Sequence, residues 1–104
     1  MIVDSHCHLN FPEMVEDLPG ILERAASVGV THMVCICSYI DEFAAIRAMA
    51  EAHDNIFCSV GVHPHDAGRE APVTLNQLLD HAEHPKVIGF GETGLDFYYD
   101  KSPR

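Results

Sequence analysis

Two kinds of apolar run alternate along the chain. Met1 to Val3 is short and continuous and passes directly into Asp4-Ser5-His6-Cys7-His8, as a buried strand does on arriving at a polar site, so a first strand is predicted over residues 1–6. Leu18, Ile21, Leu22 and Ala25 then share one helical face. Asp17 stands at the capping position before them, Pro19 falls in the first turn, and Gly29 stands where a C-terminal cap belongs. Thr31 to Cys37 (THMVCIC) is again short and largely apolar, a second strand, and Asp41 to His53 returns to helical spacing through Phe43, Ile46, Met49 and Ala50. Asn55 to Val62 (NIFCSVGV) is the third strand. Thr74-Leu75-Asn76-Gln77 has the form of a capping box ahead of Leu78, Leu79 and Ala82, the third helix, and Val87 to Phe90 is a fourth strand ending in Gly91-Glu92-Thr93-Gly94.

Strand and helix in strict alternation predict an α/β fold with four parallel strands, three intervening helices and right-handed crossovers. In such folds the C-terminal ends of the strands share one face, and active sites lie there. Residues capable of chemistry recur at those ends: His6 and His8 after the first strand, His63 and His65 after the third, Glu92 after the fourth.

Residues two apart on an extended strand project to one side, so His6 and His8 can present both imidazoles to one ion while Cys7 points away. Neutral imidazole suits zinc and other divalent transition metals, and Asp4 is a candidate supporting carboxylate. An H-x-H pair can also be no more than two hydrogen-bonded histidines in a strand. Glu92, flanked by glycines, can offer one oxygen to each of two ions; an isolated Glu at a strand end is otherwise a solvated residue or a helix cap. The convergence of three strand ends favours the metal reading. His63 and His65, stiffened by Pro64, either contact substrate oxygens or hold their loop by ordinary hydrogen bonds. Phe97, Tyr98 and Tyr99 either stack on an unpaired base or pack on the rim, and Lys101 and Arg104 either meet phosphates or are solvated. His32, His53, His81 and His84 lie away from that face and read as structural, as do Cys35 and Cys37.

Composition narrows this picture. Sixteen acidic residues against six basic ones give a formal charge of −10, so no broad basic surface can neutralise a run of phosphates. An acidic chain can still process nucleic acid when bound cations supply the positive charge, which favours a metal-dependent enzyme over a binding module. The four cysteines, Cys7, Cys35, Cys37 and Cys58, form no C-x-x-C pair and read as reduced core residues. No secretory signal and no membrane-length apolar run is found, and the expected location is the cytoplasm, with no membrane partner.

V-D-S-H-C-H-L-N, S-V-G-V-H-P-H and I-G-F-G-E-T-G-L-D-F-Y-Y-D, in this order, resemble the successive motifs of TatD-type metal-dependent deoxyribonucleases, a family similar to amidohydrolases. Asn10 stands where the family often has Asp, a change not expected to affect ligation. The resemblance implies the N-terminal half of a (β/α)8 barrel, with residues 1–104 as a single partial domain. It also implies two divalent ions (Mg, Mn or Zn), held in part by His6, His8 and Glu92, with Glu92 catalytic and bridging and with His63 facing the substrate. The implied reaction is hydrolysis of DNA phosphodiester bonds by water activated on the ions, from 3′ to 5′ on single-stranded ends. The family's remaining ligands, two histidines and an aspartate, come from later strands of a barrel of about 250 residues. The chain by itself is therefore expected to be inactive, to expose strand edges and to be able to self-associate. Two other readings stand beside this one: an amidohydrolase-like enzyme acting on a small molecule or an aminoacyl-tRNA ester, and a non-catalytic half-barrel.

Overall fold

A computed structural model describes residues 1–64 and 74–94. The strands are β1 (Ile2–Cys7), β2 (Val30–Cys35), β3 (Ile56–Val60) and β4 (Val87–Phe90), and the helices are α1 (Pro12–Val15), α2 (Leu18–Ser27), α3 (Phe43–Ala52) and α4 (Leu75–Ala82). A 3-10 turn at Ile40–Glu42 leads into α3. The four strands form one sheet in the order β1-β2-β3-β4, and every pairing is parallel. This is the expected α/β architecture, with each crossover helical.

The helix after β1 is divided, which the apolar spacing did not predict. Pro12 starts the single turn α1 at a position where its missing N–H costs nothing, and α2 begins after Asp17. Asp17 occupies the capping position of α2 but its side chain makes no cap bond; it pairs with Arg24 Nη2 at 3.0 Å instead. Gly29 has φ of +92°, the left-handed conformation that ends a helix cheaply only in glycine. The capping box of α4 forms as expected: Gln77 N–H donates to Thr74 Oγ1 at 3.2 Å, and Thr74 N–H to Gln77 Oε1 at 2.8 Å.

The core lies between the inner strands and α3. Met33 and Cys35 of β2, Cys37 just beyond it, Ile56, Cys58 and Val60 of β3, and Phe43, Ile46 and Ala50 of α3 form one buried cluster with Leu9. Cys7, Cys35 and Cys58 are register partners across β1, β2 and β3. Cys7, Cys35 and Cys58 carry free thiols. Burial first, then the neighbouring Asp4 carboxylate and Cys35, pushes Cys7 up to about 12, and burial with Cys35 pushes Cys58 up to about 11. They are protonated packing groups, as expected for reduced core cysteines.

Two of the strands read as buried are not. Along β1, Ile2 to His6 are exposed, and in β4 only Val87 is half-buried. Among the described residues each of these strands has a single neighbour in the sheet. Among the described residues no helix is long and apolar enough to cross a membrane.

Candidate metal centre

The C-terminal ends of the strands carry the candidate ligands, as the topology requires. His6 is in the last turn of pleat in β1, and His8 follows its end. His6, His8 and Glu92 each offer a ligand atom, and these atoms lie within 4.8 Å of one another. Glu92 Oε2 is 3.5 Å from His6 Nε2, and its Oε1 is 2.9 Å from His63 Nε2. One carboxylate thus presents its two oxygens to two imidazoles, one at the end of β1 and one after β3. The His6 and His8 rings meet edge to face at 5.3 Å, and His8 stacks on Phe11 at 4.9 Å. His8 Nδ1 is buried and has no hydrogen-bond partner among the described residues. Buried polar atoms are ordinarily paired. A half-buried imidazole with one nitrogen withheld from internal pairing, beside a second imidazole and a carboxylate, fits a divalent cation.

Backbone bonds to the inner strands hold this arrangement. Ile36 N–H donates to Cys7 O at 2.8 Å, anchoring the peptide between the two β1 histidines. Gly91 N–H donates to Val60 O at 2.9 Å and Glu92 N–H to Cys37 O at 2.8 Å. The Ser59 hydroxyl donates to Gly91 O at 2.7 Å and accepts from Cys37 N–H at 3.2 Å, so a single buried side chain joins the ends of β2, β3 and β4. Gly61 makes room for that junction. A Cβ built there would lie 2.8 Å from Gly91 C and 2.9 Å from Glu92 O, closer than side-chain carbons approach backbone. Neither Ser59 nor Gly61 was singled out from the sequence, although a glycine late in a strand signals a close backbone approach.

The remaining candidates have defined places. Asp4 accepts from the backbone N–H of His6 at 3.1 Å, so its recorded contact is with the strand rather than with an imidazole. Asn10 is engaged away from the cluster: its Nδ2 donates to Glu42 Oε2 at 2.8 Å and its Oδ1 accepts from Cys35 Sγ at 3.5 Å. His32 contacts Thr31 and Phe57, His81 lies against Phe43, and His84 pairs with Glu51 at 3.2 Å. The backbone O of His53 accepts from Lys86 Nζ at 3.1 Å. His65, Phe97, Tyr98, Tyr99, Lys101 and Arg104 lie outside the described residues.

A parallel sheet with helical crossovers and a His–His–Glu cluster at its C-terminal mouth defines the opening part of a (β/α)8 barrel of the metal-dependent hydrolase class. Comparison with known proteins agrees. Residues 3–104 match the family model for TatD-related DNases, and the chain belongs to this family. It is 34% identical over 100 residues to the metal-dependent hydrolase YjjV of Escherichia coli (strain K12), covering 94% of this chain and 39% of YjjV. It is 34% identical to the metal-dependent hydrolase YabD of Bacillus subtilis (strain 168), covering 100% of this chain and 41% of YabD. It is 31% identical to the 3′-5′ ssDNA/RNA exonuclease TatD of Enterobacter lignolyticus (strain SCF1), covering 90% of this chain and 36% of that protein. The crystal structure of YjjV superposes with a TM-score of 0.85 over 95% of this chain and 39% of its own. The chain therefore spans about two fifths of the length of these relatives.

Proposed function

We propose that this chain is the first part of a two-metal phosphodiesterase that hydrolyses single-stranded DNA from its 3′ end. The observation that carries the proposal is the position of Glu92. Its Oε2 lies 3.5 Å from His6 Nε2, within the His6–His8–Glu92 cluster, and its Oε1 is oriented by His63 Nε2 at 2.9 Å. His6, His8 and Glu92 would hold the first ion, and Glu92 would share a second with ligands from later barrel strands. Divalent ions of the Mg, Mn or Zn kind supply Lewis-acid polarisation of a phosphodiester and a nucleophile at neutral pH.

The residues of this chain have separate tasks in that scheme. Glu92 is the catalytic carboxylate. The Nε2 of His63, 2.9 Å from Glu92 Oε1, orients that carboxylate and stands next to where a phosphate oxygen would arrive. His65, in the same V-H-P-H motif, is assigned to substrate contact as well. Phe11 keeps the His8 ring in place by stacking. The acidic composition leaves phosphate neutralisation to the ions, and the substrate class is supported by the likeness to one relative, a 3′-5′ ssDNA/RNA exonuclease. The chain alone, without ligands from later strands, is expected to be inactive.

The test uses this chain within a complete barrel, with magnesium or manganese, on single-stranded DNA labelled at either end. Progressive loss from the 3′ end, abolished by Glu92→Ala, is the expected result. Full activity in Glu92→Ala would remove Glu92 from the mechanism. Hydrolysis of ester or amide substrates in preference to DNA would favour an amidohydrolase instead.

A further inference from the structure

The loop after β2 holds Glu92 of the His6–His8–Glu92 cluster in place through backbone bonds, and one carboxylate organises that loop. Glu42 Oε1 accepts from Ser38 N–H at 2.5 Å and from Tyr39 N–H at 3.4 Å. Its Oε2 accepts from Asn10 Nδ2 at 2.8 Å, which fixes the carboxylate against the segment following β1. The Ser38 N–H belongs to the same peptide plane as Cys37 C=O, and the Tyr39 N–H to the same plane as Ser38 C=O. Those two carbonyls accept from Glu92 N–H at 2.8 Å and from His63 N–H at 2.5 Å. Two successive peptide units therefore turn their N–H groups toward Glu42 and their carbonyls toward the backbones of Glu92 and His63.

Planarity makes this a mechanical coupling, because rotating one end of a peptide unit rotates the other. An ionised acceptor also polarises both amides and strengthens the bonds their carbonyls accept. Without Glu42, both N–H groups lose this acceptor and the two peptide planes are held from their carbonyl side. The identity of Asn10 fits this role: its amide gives the carboxylate a donor, where an aspartate would oppose it with like charge.

We infer that Glu42 is a positioning residue for the metal centre, acting through the 37–38 and 38–39 peptide units to set the places of Glu92 and His63. The inference rests on the reading of His6, His8 and Glu92 as metal ligands.

The experiment combines amide hydrogen exchange with cobalt(II) titration of the full chain, comparing Glu42→Ala and Glu42→Gln with the unsubstituted protein. In Glu42→Ala, exchange at the Glu92 and His63 amides should accelerate tenfold or more while the β2–β3 ladder keeps its protection. Cobalt(II) affinity should fall about tenfold, the lower range for loss of a group that orients ligands. Glu42→Gln should give a smaller loss at the same two amides, since its one oxygen can still accept from Ser38 N–H while its amide group opposes Asn10. If Glu42→Ala does not fold, this graded, local loss in Glu42→Gln decides the matter. Exchange spread evenly over the sheet, or unchanged at Glu92 and His63, would overturn the inference. If the unsubstituted chain takes up no cobalt(II), the metal reading fails, and the amide exchange still tests the coupling by itself.

Discussion

Among the described residues, strands β2 and β3 have a neighbour on each side and hold the wholly buried Cys35, Ile56, Cys58 and Val60, whereas β1 and β4 have one neighbour each and leave Ile2, Val3, Ile88 and Phe90 more than half exposed. The candidate ligands belong to the second pair: His6 and His8 at the end of β1, Glu92 after β4. Packing within the described residues covers little of these two strands. Here they are placed by hydrogen bonds reaching out from the inner pair, to Cys7 O from Ile36, to Cys37 O from Glu92 and through Ser59 to Gly91. Among the described residues the buried packing lies in the two inner strands and the candidate ligands at the ends of the two outer ones, and the C-terminal loops join them.

The largest test of this division is in the core. Ile56→Ala on β3 should cost about 2–5 kcal/mol in denaturant unfolding, while Ile88→Ala on β4 should cost well under about 1 kcal/mol; equal losses would erase the contrast. Gly61→Ala probes the junction itself. The added methyl must displace the Gly91–Glu92 backbone, so divalent-metal affinity should drop about tenfold or more in a calorimetric titration. Lys86→Met tests how firmly β4 is tied at its other end, where Nζ donates to His53 O and Asp54 O and lies 4.2 Å from the centre of the Phe57 ring. Loss of those contacts should cost about 1–3 kcal/mol in the same unfolding assay, with metal affinity unchanged.

A further effect is in the pH dependence. Burial raises the Cys58 thiol from 9.0 to about 11, so the folded state holds its proton where the unfolded chain releases it. The corresponding stability is present below pH 9 and is lost as pH rises through about 11. Cys58→Ala should flatten that alkaline decline in the unfolding midpoint, and an unchanged slope would show that the inner cysteine does not drive it.

The order and type of the main elements were legible because each apolar run is long enough to carry a period. The boundary of β4 fell on Val87–Phe90 as read, and the box at Thr74 and Gln77 announced α4. A single turn such as Pro12–Val15 is about one helical period long, too short to show a repeat, and α1 left no such signal. Apolar runs also state that a strand seeks cover, not how many neighbours supply it, which is why β1 read as buried. In the site, His6, His8 and Glu92 stood out because polar ligands at strand ends need a reason. Glu42, Ser59 and Gly61 did not, because they work through backbone groups that every residue carries. Glu42 reads in isolation as one more acid at the start of a helix.

The central claim is that His6, His8 and Glu92 form one divalent-metal site, and manganese(II) titration of the isotopically labelled chain tests it most directly. Paramagnetic broadening should begin at His6, His8 and Glu92, reach the adjacent His63, and spare His32, His53, His81 and His84. Broadening scattered over the acidic surface with His6 and His8 unaffected would contradict it.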